Sequence, residues 1–182
     1  VLEPTRELAD QVAEAFAEYG EFTGLKVALL YGGLGYGKQT EELNKGADIV
    51  VATPGRLVDH FYRGTMRFGE IKALVLDEVD RMLDMGFLPI VRKIVNLCPW
   101  EGRQTLFFSA TMPPEITDLV NSLLHTPVKV AVDPVSSPVE AIRQSVYFVD
   151  RGNKTKLLSL LMDQLGVKNA LVFTRTKHGA NK

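Results

Sequence analysis

The sequence predicts an α/β fold, a doubly wound parallel sheet with right-handed crossovers, followed by the start of a second unit of the same class. Three observations predict it. Short continuous apolar runs alternate with amphipathic helical patterns, as in strands buried on both faces of a parallel sheet. The helical segments repeat with the 3.6-residue period. A tract containing two prolines and two serines, Asp133-Pro134-Val135-Ser136-Ser137-Pro138, then interrupts the alternation and reads as a linker.

In chain order, Val1-Leu2-Glu3 reads as the tail of a buried strand. Leu8, Val12, Phe16 and Tyr19 share one face of the helix that follows. Strands are predicted at Val27–Tyr31, Asp48–Ala52, Ala73–Leu76, Thr105–Ser109 and Val128–Val132. Between them, Phe87, Ile90, Val91, Ile94 and Val95 form one helical stripe, and Ile116, Leu119, Val120, Leu123 and Leu124 another. After the linker come a strand at Ser145–Val149, a helix at Lys156–Leu165 and a strand at Ala170–Phe173. The expected organisation is a first domain over 1–132, a linker over 133–143 and an opening second domain over 144–182. The chain begins without methionine and ends as a helix starts, so it is expected to be a fragment cut inside structure at both ends.

Composition narrows the function. The chain has 182 residues, 46% of them hydrophobic, and a net charge of −1. A broad basic surface is therefore absent, and any nucleic-acid contact must be local. The single cysteine, Cys98, excludes an internal disulfide framework and a Cys-rich zinc site. His60, His125 and His178 lack ligand spacing and read as surface or satisfied structural residues. No signal peptide and no apolar run of membrane-spanning length is present, so the expectation is a cytoplasmic protein with no membrane partner.

The chemistry concentrates in Asp77-Glu78-Val79-Asp80, after the apolar run Ala73–Leu76. Carboxylates at the carboxyl end of a parallel strand face the crevice where ligands bind. Asp77 is placed to hold magnesium through water, and Glu78 to orient or deprotonate an attacking water. A solvated acidic loop has the same letters. Thr5 and Thr53 each precede a helical pattern, Thr53 with Pro54 at the first helical position and Thr5 after Pro4. Helix starts present free N–H groups and a positive dipole end, and both favour phosphate; Arg6 and Arg56 lie within the first turn. Simple capping with solvated arginines is the plainer alternative. Ser109 and Thr111 carry hydroxyls suited to hydrogen bonds with a carboxylate such as Asp80, or to capping the next helix.

Gly32 through Lys38 fits G-x-x-x-x-G-K, but Gln39 stands where a phosphate-binding loop has Ser or Thr. Thr40 is one residue late, about 100° away on a helix. Gly32-Gly33 reads better as a tight turn where backbone approaches a ligand closely.

The ordered set Pro4-Thr5-Arg6-Glu7-Leu8-Ala9, Gly32-Gly33, Thr53-Pro54-Gly55-Arg56, Asp77–Asp80 and Ser109-Ala110-Thr111 resembles the DEAD-box family of ATP-dependent RNA helicases. Val79 replaces the usual alanine. Val172-Phe173-Thr174-Arg175-Thr176 is similar to a later motif of that family, and Arg81–Phe87 looks like bacterial-type members. The resemblance implies a RecA-like domain, a linker and the start of a second RecA-like domain. It implies ATP and magnesium as cofactors and RNA as partner, with local duplex unwinding as the activity. Catalysis would rest on Asp77, Glu78, Asp80, Ser109 and Thr111, and nucleotide contact on Asp77 and Glu78. RNA contact would rest on Pro4, Thr5, Arg6, Gly32, Gly33, Thr53, Pro54, Gly55, Arg56 and Thr176. The family's adenine-binding motif, true phosphate-binding loop and late arginine-rich motifs are not in the chain. An RNA-phosphate clamp without hydrolysis, and a distinct NTPase using Gly32–Lys38, stay open on the residues alone.

Overall fold

The fold is seen in a computed structural model, which describes residues 1–124, 126–132 and 143–181. The chain divides into two compact units, Val1–Lys129 and Val130–Lys182.

The first unit is a parallel α/β sheet with helical crossovers. Its elements are α1 (Arg6–Tyr19), β1 (Val27–Leu30), α2 (Tyr36–Asn44), β2 (Ile49–Ala52), α3 (Pro54–Tyr62), β3 (Ala73–Leu76), α4 (Val79–Asp84), α5 (Leu88–Leu97), β4 (Gln104–Phe107) and α6 (Pro114–Leu123). β1 pairs with β2, and β3 with β4, both in parallel. Val1–Glu3 lies between the two ladders. Leu2 bridges Ala52 on one side and Leu76 on the other. The expected strand tail is therefore central to the sheet.

The apolar runs at Val1–Glu3, β1, β2 and β3 form strands whose residues enter the core, while β4 is only partly buried. Leu2, Leu30, Val51, Ala52 and Leu76 are at most 1% exposed. The α5 and α6 stripes pack into the same core through Val91, Ile94, Ile116 and Leu119. In α1 the buried residue is Ala9, while Tyr19 at the end of the expected stripe stands in solvent. Val79, the departure from alanine, is fully buried in the core, and its N–H donates to the Phe108 carbonyl at 3.2 Å.

Three expected strands do not form. Val128–Val132, Ser145–Val149 and Ala170–Phe173 have no ladder partner among the described residues. Val130 and Phe148 are 87% and 98% exposed. A strand exists only where a neighbour takes its N–H and C=O groups, and these segments meet none. Among its described residues the second unit has a 3₁₀ turn (Arg151–Asn153), α7 (Lys154–Gln164) and α8 (Lys177–Ala180). The linker expected at 133–143 lies outside the described residues except Arg143. No helix among the described residues is long and apolar enough to cross a membrane.

Candidate functional site

Parallel strands end on one edge, and here that edge gathers the polar motifs of the first unit. Gly32-Gly33 follows β1, Thr53 follows β2, Pro4-Thr5 follows Val1–Glu3, Asp77 follows β3 and Ser109 follows β4. Ladder register places Glu3 beside Asp77 on one side and Thr53 on the other, with side chains on a common face.

Thr5 is the N-cap of α1, and its hydroxyl accepts the Leu8 N–H at 3.3 Å. Thr53 is the N-cap of α3 with Pro54 at the first helical position, but its hydroxyl makes no capping bond. The α3 start therefore keeps its N–H groups free of side-chain caps. Gly33 ties the glycine turn to α1. Its φ is +92°, and a Cβ there would stand 2.9 Å from Arg6 Nη1. Glycine is required here by conformation, whereas the Arg6 guanidinium is the far end of a flexible side chain that an added Cβ would displace. Arg56 Nη1 donates to the Leu34 carbonyl at 2.9 Å, which fastens α3 to the same turn.

The acidic loop is a strained elbow. The Asp77 N–H donates to the Leu2 carbonyl at 3.1 Å, and Asp77 Oδ1 accepts the Glu78 N–H at 2.8 Å. Oδ2 of Asp77 accepts nothing from a described residue. Glu78 adopts φ 45°, ψ 51°, the left-handed region that a side chain rarely occupies. Its Oε2 pairs with Arg81 Nη1 at 2.7 Å. One free carboxylate oxygen at a strand end suits a magnesium ion that keeps most of its waters.

Asp80 joins this elbow to the Ser109–Thr111 turn. Its Oδ2 accepts the Thr111 N–H at 2.9 Å and the Thr111 hydroxyl at 3.0 Å. Its own N–H donates to Ser109 Oγ at 3.2 Å, and the Ser109 hydroxyl donates to the Thr111 carbonyl at 2.8 Å. Burial opposes ionisation of Asp80, but the Thr111, Arg81 and Ser109 hydrogen bonds outweigh it and hold the carboxyl below its ordinary range.

Sequence reasoning missed two features. Glu3 is 1% exposed, and neither carboxylate oxygen has a partner among the described residues. Burial first, then the Asp77 and Glu78 charges, push it up to about 7. Its place at the end of a buried strand, one residue before Pro4, was the available signal. The second is a network beneath the glycine turn. Gln39 donates to the Tyr31 and Gly35 carbonyls at 3.2 and 3.4 Å. His60 Nε2 meets Gln39 Oε1 at 3.3 Å, and Nδ1 meets Thr65 Oγ1 at 2.8 Å. Burial, then the Arg56 and Arg63 charges, lower the His60 pKa. Gln39 is thus spent internally where a phosphate-binding loop needs a hydroxyl, and exposed Lys38 pairs with Glu42 at 3.9 Å. Thr176 belongs to the second unit, where it caps α8 by accepting the Gly179 N–H at 3.1 Å.

Known proteins are similar to this chain in sequence and in fold. The family described as DEAD/DEAH box helicase matches residues 1–119. The DEAD-box ATP-dependent RNA helicase 52A of Oryza sativa subsp. japonica is 46% identical over 100% of this chain and 32% of its own length. The ATP-dependent RNA helicase RhlB of Actinobacillus succinogenes is 35% identical over 98% of this chain and 43% of its own. The chain therefore spans under half the length of these curated relatives. Among solved structures, a DEAD box protein from the hyperthermophile Methanococcus jannaschii superposes with a TM-score of 0.69 at 38% identity. That match covers 99% of this chain and 48% of the other.

Proposed function

Because this chain belongs to the DEAD/DEAH box helicase family, with a RecA-like α/β fold, we propose that it supplies part of an ATP-dependent RNA helicase. The observation that supports this most is the gathering of two phosphate-ready helix starts and the Asp77–Asp80 elbow on one sheet edge. Thr5 with Arg6, and Thr53–Arg56, contact successive RNA phosphates, with Gly32-Gly33 allowing the strand close to the backbone. Pro4 fixes the entry to α1, and Thr176 adds a contact from the second unit. Phosphate contacts position the strand without reading its bases, so the expected partner is single-stranded RNA or a duplex end of any sequence.

ATP and magnesium belong to this reading, and the elbow fits them. Asp77 would hold magnesium through water, and bound magnesium would supply neutralisation of phosphoryl charge there. Glu78 orients the attacking water and takes its proton once the Arg81 pair opens. Asp80, Ser109 and Thr111 form the link by which the water-handling elbow and the RNA-facing edge sense one another. The setting proposed is cytoplasmic.

The test is RNA-stimulated ATP hydrolysis and RNA affinity of the full-length gene product. Glu78→Gln is expected to abolish hydrolysis while RNA binding with an ATP analogue persists. Arg56→Ala is expected to weaken unrelated single-stranded RNAs about equally. A change in sequence ranking with an intact salt slope would make Arg56 a base reader instead.

A further inference from the structure

Arg56, Asp59, His60 and Arg63 stand at i, i+3, i+4 and i+7 along α3 and its C-cap, one stripe of the helix. Tyr36, the first residue of α2, lies across that stripe. Its ring centroid is 4.1 Å from the Arg56 guanidinium carbon and 3.7 Å from that of Arg63. Two cations that close cannot share one face of a ring, so Tyr36 is sandwiched between them. Its hydroxyl donates to Asp59 Oδ2 at 3.0 Å, and its ring meets His60 edge-on at 5.4 Å.

The sandwich gathers more positive charge than it neutralises. The Asp59 carboxylate is engaged by the Tyr36 hydroxyl, and among the described residues neither arginine forms an ion pair with it. Arg56 spends one N–H on Leu34, but the Arg63 side chain donates to no described residue and forms no ion pair with one. Arg63 is exposed, yet stacking fixes its plane. Helical side chains lean toward the N-terminus, so Arg63 reaches back from the end of α3 toward the glycine turn and the Thr53–Arg56 start. A guanidinium held flat, with its donor fork open, is shaped for a phosphodiester oxygen pair.

We propose that Arg63 is a further RNA-phosphate contact and that Tyr36 is the positioning residue that aims it together with Arg56. This rests on the reading that Arg56 faces RNA phosphate. It adds a second guanidinium, carried from the C-cap of α3, beside Arg56 at the Thr53–Arg56 motif. A clamp serving only to pack α2 on α3 would draw its stabilisation from the ring and the Asp59 bond, and would be indifferent to RNA.

The experiment measures affinity of the full-length gene product for oligo(U), oligo(A) and a mixed single strand. Titrations run from about 50 to 200 mM salt with saturating non-hydrolysable ATP analogue, and melting temperatures are taken alongside. Arg63→Ala is expected to weaken all strands equally and to flatten the salt slope by about 0.7. Tyr36→Leu is expected to weaken RNA at least as much, and combining it with Arg63→Ala is expected to add little, because the two act as one unit. Tyr36→Phe keeps the stacked ring and is expected to hold most of the affinity, so the proposal stays testable if Tyr36→Leu fails to fold. If Arg63→Ala leaves affinity and slope unchanged while Arg56→Ala alters both, the proposal is overturned. If Arg56→Ala also changes nothing, the phosphate track itself fails, and the proposal with it.

Discussion

Glu78 offers a direct measure of stored strain. Its φ of 45° and ψ of 51° place a non-glycine residue in the left-handed region. That conformation costs an L side chain about 1–2 kcal/mol. At an ordinary position glycine is less stable than alanine by about 0.5–1 kcal/mol, from the extra freedom of its unfolded chain. At Glu78 the two effects oppose each other, and strain is the larger. Both Glu78→Gly and Glu78→Ala lose the Arg81 pair at 2.7 Å, so that half-exposed interaction cancels in the comparison. Glycine should therefore be more stable than alanine by about 0–1.5 kcal/mol, centred near 0.75, the reverse of the usual order. Glu78→Asn should fall between them, because Asn tolerates the left-handed region better than most residues. The assay is urea unfolding followed by far-UV circular dichroism. With slopes of about 2 kcal/mol per molar, the midpoints should separate by a few tenths of a molar. An alanine variant more stable than the glycine variant would refute the reasoning, since the elbow would then carry no strain worth relieving. Confirmation would mean that a carboxylate is kept at a strained position, as at sites where aim matters more than stability.

Other outcomes follow from the same geometry. Gln39→Leu should lose about 1–3 kcal/mol of stability, because the Tyr31 and Gly35 carbonyls and one His60 nitrogen lose their buried partner; a neutral midpoint in urea would contradict this. The chain as given should hydrolyse no ATP, since it contains no G-x-x-x-x-G-K-[ST] loop to hold the triphosphate against Asp77; RNA-stimulated phosphate release above a Glu78→Gln control would show otherwise. Glu3 titrates near 7 when folded against 4.5 in its ordinary state, so between those values the folded chain binds more protons than the unfolded one. Stability should therefore fall as pH rises from about 4.5 to 7, and Glu3→Gln should flatten that fall, as read from urea midpoints across the window; an unchanged slope would count against a buried, unpartnered carboxyl.

The sheet of the first unit was legible because its strands carry short apolar runs that supply residues to the core. Ala73–Leu76 appears with the bounds that its residues suggest, and β1, β2 and β4 differ by a residue or two at their ends. The α5 and α6 stripes were legible for the same reason. What failed was the set of segments whose apolar residues find no neighbour, Val128–Val132, Ser145–Val149 and Ala170–Phe173. Their composition favours strand, but pairing is a property of two segments and not of one. At the candidate site, spacing sufficed to place Thr5, Thr53 and Asp77 at element ends. It did not show the left-handed turn at Glu78 or the Arg6 packing on Gly33, because both depend on contacts between distant parts of the chain. Nor did it reveal that one tyrosine gathers two arginines, for Tyr36 reads locally as nothing more than the start of a helix.

Val1–Glu3 has a consequence for how the first unit opens. These few residues are the element that bonds both ladders. The Val1 and Leu2 backbone nitrogens donate to Val50 and Val75, each at 2.8 Å, and Ala52 and Asp77 donate back to Val1 and Leu2. Peeling them away would unlace the sheet into two ribbons, each too narrow to persist alone. The amides of Glu3, Ala52 and Asp77 are therefore expected to exchange with solvent deuterium as one group, at the rate of the whole unit's slowest opening. The helix start at Thr5 and the elbow at Asp77 hang from that seam, so the proposed RNA contacts and the acidic elbow would lose their alignment in a single event.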